Sequence, residues 1–149
     1  MCGRFSQTYP LESIQRHFSI DHITCELIPR HEIFPSQQIP ALIMHQSQTR
    51  LGLLTWGLVP FWAKEKKGSG LINARMETLS KKPSFREPFI KRRCLIIADG
   101  YYEWKQPPEK GSKKIRYFFQ LPSKEPFAFA GSAILSSLFL NSVFNPSNV

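Results

Sequence analysis

The sequence predicts an α+β domain built on a curved, barrel-like, predominantly antiparallel β-sheet with a few short peripheral helices. Three observations carry this reading: several apolar or alternating runs of strand length, few segments with helical spacing, and 149 residues with 42% hydrophobic and 13% aromatic content. That length suits one domain, and that composition can build a core, which excludes a disordered basic tail. No apolar run approaches the roughly 18 residues needed to span a bilayer, so no membrane partner is expected.

Leu11, Ile14 and Phe18 recur at helical spacing behind Pro10, whose fixed φ suits a first helical position. Residues 38–44 and 51–58 read as strands. Ser84 and Glu87 have the spacing of a capping box opening a short helix through Ile90. Residues 94–98 form a continuous apolar run, expected as a buried strand. Asp99-Gly100 supplies the turn that sends the chain into a strand over 101–105. Residues 115–121 and 127–131 supply two more strands, and Pro107, Pro108 and Gly111 mark an exposed loop. From Pro126 to Val149 there is no charged residue, so 1–131 reads as the folded domain and 132–149 as an atypical uncharged tail.

Charge and cysteine content narrow the function. The window from Lys64 to Arg116 holds 15 of the 20 basic and 6 of the 11 acidic residues and so carries the whole +9. Such a basic middle attracts polyanions with salt-sensitive affinity, or it is a solvated surface. Cys2, Cys25 and Cys94 leave one thiol unpaired in any disulfide scheme, and the first residues show no positively charged segment followed by an apolar stretch, so a reducing cytoplasm is expected. The cysteines and His17, His22, His31 and His45 lack metal-ligand spacing, so neither a metal nor another cofactor is expected.

The chemistry concentrates at Met1-Cys2-Gly3-Arg4-Phe5. Removal of Met1 would leave Cys2 with a free α-amine of ordinary pKa about 7.7 to 8.0 beside a thiol near 8.5. The amine can form an imine with an aldehyde, and the thiol can then close a five-membered thiazolidine ring. Held in place, such a closure gains an effective molarity on the order of 10⁵ M or more. Cys2 can equally be a small buried hydrophobe.

The start Cys2-Gly3-Arg4-Phe5, the segment from Trp56 to Trp62, the segment Asn73-Ala74-Arg75-Met76-Glu77-Thr78 and the run from Arg93 to Trp104 together resemble the SOS-response-associated peptidase family, from Met1 to about Gly131. The resemblance implies self-removal of Met1, a thiazolidine crosslink from Cys2 to the ring-opened sugar of an abasic site in single-stranded DNA, and protection of that lesion. It implies a catalytic set of Cys2, Asn73 and Glu103. Asn73 would orient the sugar, as a non-titrating amide can; taken alone it is equally a turn residue. Glu103 would shuttle protons, its carboxyl crowded by Tyr101, Tyr102 and Trp104; alternation also allows it to face solvent.

Arg4 and Arg75 resemble the family's phosphate contacts, where a guanidinium fork fits two oxygens, although either can form an internal salt bridge. Arg86 and the group Lys91, Arg92 and Arg93 are weaker DNA-binding candidates, because a short helix with basic residues is often only a solvated face. Trp56, Phe61 and Trp62 can stack bases, at roughly 1 to 3 kcal/mol per base, with at least one of them in the core. Trp62, beside Lys64, Lys66 and Lys67, is expected nearest the DNA. The expected partner is therefore single-stranded DNA with abasic sites, met in the cytoplasm, at the nucleoid in a bacterium.

Family members run longer, and the family's histidine before an Arg-Met-Pro motif, which assists crosslink reversal, matches none of the four histidines here. The sheet is thus expected to be incomplete at its C-terminal end, as in a truncation or frameshift product. Leu138, Phe139 and Phe144 would then promote self-association, and reversal and tight DNA binding would be impaired. Two other readings stand beside this one. A non-catalytic single-stranded nucleic-acid binder would not need Cys2 or Glu103, and an N-terminal-cysteine amidase would not need a phosphate-binding surface.

Overall fold

The computed structural model describes residues 2–59, 70–109 and 111–133. Its strands are β1 (Phe5–Gln7), β2 (His22–Ile23), β3 (Arg30–Ile33), β4 (Gln38–His45), β5 (Gln48–Thr55), β6 (Arg93–Ala98), β7 (Gly100–Lys105), β8 (Ile115–Phe119) and β9 (Phe127–Ser132). The helices are α1 (Leu11–His17) and α2 (Pro83–Lys91), with a 3-10 turn at Met76–Thr78. They form a four-stranded sheet ordered β3-β1-β7-β8 and a five-stranded sheet ordered β2-β5-β4-β6-β9. Among the described residues every strand pairing is antiparallel except β2 with β5, and neither sheet closes into a barrel.

Phe5, Ile33, Ile39, Trp56 and Ala98 form one buried cluster that draws on both sheets, and Ile14, Leu42, Leu51 and Ile97 form a second, between α1 and the five-stranded sheet. Ile14 is fully buried and anchors α1, contributing about 2 to 3 kcal/mol. Pro10 is the N-cap, with ψ 162°, rather than the first helical residue; its carbonyl accepts from Ser13 and Ile14.

Three local expectations shift. The strand expected at 51–58 begins at Gln48, because Gln46 and Ser47 adopt φ of 48° and 62° and make a tight two-residue turn out of β4. The capping box at Ser84 does not form: Pro83 already occupies the first turn behind Lys82, and Glu87 reaches Arg92 at 3.4 Å instead. Asp99 does turn the chain into the next strand, but between sheets, since β6 and β7 belong to different ones. It is a corner, buried with its carboxylate accepting from the Ser6 hydroxyl, the Thr8 N–H at 2.5 Å and the Thr8 hydroxyl at 2.6 Å. The corner carries the chain from the five-stranded sheet to the four-stranded one. Next to it, Gly100 lies under the Phe118 ring, where an added Cβ would sit 2.1 Å from a ring carbon.

The expected strand at 115–121 is shorter, ending at Phe119, and β8 is exposed throughout as the edge of its sheet. β9 ends at Ser132, and the Ala133 N–H donates to the Arg92 carbonyl. Leu138, Phe139 and Phe144 lie outside the described residues, as does the tail from residue 134 onward. No helix among the described residues is long and apolar enough to cross a membrane.

Candidate active site

Residues 2–4 run on from β1 alongside β7. The Phe5↔Tyr101 and Ser6↔Gly100 pairs set the register, and the Tyr102 N–H donates to the Arg4 carbonyl at 2.8 Å. Extending that antiparallel register by two residues puts Gly3 opposite Glu103. The N-terminal segment is thereby led to the one carboxylate of β7.

Cys2 is half-buried, packed against the Phe5–Trp56 cluster, with its thiol 3.4 Å from the Arg4 carbonyl. Burial pushes the thiol above its ordinary pKa; a backbone hydrogen bond at Arg4 offsets part of this, and the Glu103 carboxylate adds to the rise. The thiol and the carboxylate therefore sense each other electrostatically. Burial also raises the Cys25 thiol, and pushes that of Cys94 up to about 11. Cys94 stands below Gly131 in the β6–β9 pair, where its sulfur would lie 2.9 Å from a Cβ added to the glycine, so its place is packing.

Asn73 reaches the same place from a different part of the chain. Its amide Nδ2 donates to the Cys2 carbonyl at 2.8 Å. Gly70, at φ 70°, lets the chain pass within 2.8 Å of the Leu58 carbonyl measured from an added Cβ, and Leu58 and Leu71 exchange backbone bonds at 2.9 and 3.0 Å. Trp56 then donates its indole N–H to the Ile72 carbonyl at 3.0 Å. Trp56 is 8% exposed, so it is a core residue that holds the segment before Asn73, not a surface for bases. Only the pairing across the chain reveals that role.

Arg4 does form an internal ion pair, to Glu32 at 3.5 Å. Its guanidinium lies 4.4 Å from the Phe34 ring centre and 4.8 Å from that of Trp104. Arg75 is exposed two residues beyond Asn73, and Arg86 is exposed on α2. Trp62, Phe61, Lys64, Lys66 and Lys67 lie outside the described residues. Among the described residues no group of three or more His, Cys, Asp or Glu side chains could hold a metal ion. Glu32 and Arg116, which pair at 2.6 Å, had no motif to single them out.

The family model for the SOS response associated peptidase (SRAP) matches residues 1–136. Abasic site processing protein YoqW of Bacillus subtilis is 47% identical over 134 residues, 88% of this chain and 59% of the relative. Abasic site processing protein HMCES of Gallus gallus is 39% identical over 77 residues, 48% of this chain and 22% of the relative. A solved phage-related protein from Bordetella bronchiseptica superposes with TM-score 0.69 at 26% identity, over 88% of this chain and 60% of that one. The chain thus spans about three-fifths of the length of the bacterial relatives it matches.

Proposed function

This chain belongs to the SOS response associated peptidase family, and on that premise we propose that it processes abasic sites in single-stranded DNA through a covalent bond to Cys2. Hydrolysis of the Met1–Cys2 peptide, with Glu103 moving the proton, releases methionine and frees the Cys2 amine. The amine adds to the aldehyde of the ring-opened sugar and water leaves, giving an imine. The thiol then adds to the imine carbon, its proton passes to nitrogen, and the thiazolidine ring closes. The product shields the lesion from strand cleavage.

The observation that carries this reading is the convergence of Asn73 and Glu103 on one N-terminal cysteine. Tethering the Cys2 carbonyl restrains the residue whose amine and thiol must both reach the same carbon. Closure of the ring onto an imine carbon requires the amine to react first and the thiol second, an order with which a thiol held back by burial and by Glu103 is consistent. Arg4 and Arg75 flank Cys2 and Asn73 in sequence and present guanidinium groups suited to the phosphates beside the lesion. Arg86 and Trp62 extend the proposed DNA-binding set, which acts in the cytoplasm.

The test mixes the protein with a single-stranded oligonucleotide bearing one abasic site and resolves the products on a denaturing gel beside Cys2→Ser. The expected result is a retained band with the parent only, whose intact mass equals protein lacking Met1 plus oligonucleotide minus one water. Equal salt-sensitive binding by both proteins without an adduct would replace this reading with a non-catalytic binder. Retention of Met1 would overturn it outright.

A further inference from the structure

Glu32 lies on β3 and takes two arginines at once. Its Oε2 meets Arg4 Nη1 at 3.5 Å and its Oε1 meets Arg116 Nη1 at 2.6 Å, so each carboxylate oxygen holds one guanidinium. The two arginines come from opposite ends of the chain and are brought together by the order β3-β1-β7-β8. Both lie against aromatic rings, Arg4 between Phe34 and Trp104 and Arg116 5.1 Å from the Tyr102 ring centre. The cluster is open to solvent: Arg116 is 52% exposed and Glu32 33%. Its charge is +2 against −1. The Nε of Arg4 is a buried donor with no hydrogen-bond partner among the described residues.

We propose that Glu32 occupies the position of a backbone phosphate of the bound strand, and that Arg116, with Arg4, is a phosphate contact on this outer face of the four-stranded sheet. The inference rests on the function proposed above and extends its DNA path. A phosphodiester has two non-bridging oxygens, the same acceptor pair that the carboxylate now offers to two forks. Exposed ion pairs contribute little net stability, so exchanging carboxylate for phosphate costs little. The aromatic rings keep both guanidinium planes oriented before the strand arrives, which lowers the ordering cost of binding. Each phosphate neutralised by a cation also releases counterions, a gain that Glu32 cannot supply. Glu32 thus competes with the strand for the arginines and moderates affinity.

The experiment measures anisotropy of a labelled, unmodified single-stranded oligonucleotide over a salt series, using the full chain. Arg116→Gln is expected to weaken binding several-fold at low salt and to flatten the log–log salt slope by about 0.7, the value of one single-strand phosphate. Arg116→Lys is expected to keep the slope, since the charge remains. Glu32→Gln is expected to tighten binding several-fold. Thermal midpoints monitored alongside identify any variant whose fold has failed, and the lysine variant then carries the comparison. An Arg116→Gln slope equal to the parent's, or weaker binding by a folded Glu32→Gln, would overturn the inference. Abasic-site crosslinking run in parallel separates the two proposals. Lost crosslinking with the Arg116 effect intact defeats the function alone, and intact crosslinking without the Arg116 effect defeats this inference alone.

Discussion

Replacing Asp99 by alanine tests how the site is held in register. β1 is three residues long and meets β7 through the pairs Phe5↔Tyr101 and Ser6↔Gly100, a short attachment for the strand that leads to Cys2. Asp99 reinforces it with three bonds, from the Ser6 hydroxyl and from the N–H and hydroxyl of Thr8. Each hydrogen bond to a charged group contributes about 1.5 to 3 kcal/mol, giving a gross loss of about 4.5 to 9 kcal/mol for three. The three bonds share one carboxylate and are not additive, leaving a cost of about 3 to 5 kcal/mol. At about 3 °C per kcal/mol for a chain of this size, the unfolding midpoint falls by about 10 to 15 °C. Asp99→Asn keeps one acceptor oxygen but turns an amide NH2 toward existing donors, and loses about half as much. Circular dichroism melts give the midpoints, and crosslinking well below them is expected to slow about tenfold as Cys2 loses alignment. An Asp99→Ala midpoint within about 2 °C of the parent would refute the claim that this carboxylate fastens β1.

Other outcomes follow from the same geometry. Asn73→Ala removes the 2.8 Å tether to the Cys2 carbonyl and is expected to slow single-turnover crosslinking about tenfold, the equivalent of one hydrogen bond, with little change in melting; Asn73→Asp, lacking a donor, should not rescue it. The Cys2 thiol, raised by burial and then by Glu103, should become thiolate only at higher pH than an ordinary cysteine. Glu103→Gln removes the repulsion, so the pH profile of Cys2 alkylation, followed by peptide mass, should move to lower pH; an unmoved profile would contradict the coupling. Gly100→Ala places a methyl group against the Phe118 ring, pushing that ring away from Tyr102, and is expected to cost about 1 to 3 kcal/mol in urea unfolding.

Local chemistry was readable along the chain. Helical spacing located α1, and apolar runs of strand length located β4 and β6, because such patterns depend only on near neighbours. The aminothiol potential of Cys2 and the motifs around Asn73 and Glu103 were equally visible. The very short strands β1, β2 and β3 were not, since two to four residues carry no period, and their existence depends on partners far along the chain. Ser84 had the right spacing for a cap, yet Pro83 had already started the helix.

Roles set by distant partners could only come from the fold. Trp56 looks like a base-stacking residue in sequence, and its indole N–H instead secures Ile72 from inside the core. Asp99 reads as a turn between successive strands, and tertiary bonds to Ser6 and Thr8 make it the corner between two sheets. Sequence therefore determined which reactive groups exist and how the nearer elements form, because those depend on bonds and periods within a few residues. Tertiary structure decided which groups meet, because Asn73 and Glu103 lie 71 and 101 residues from Cys2 along the chain and reach it only through contacts between distant segments.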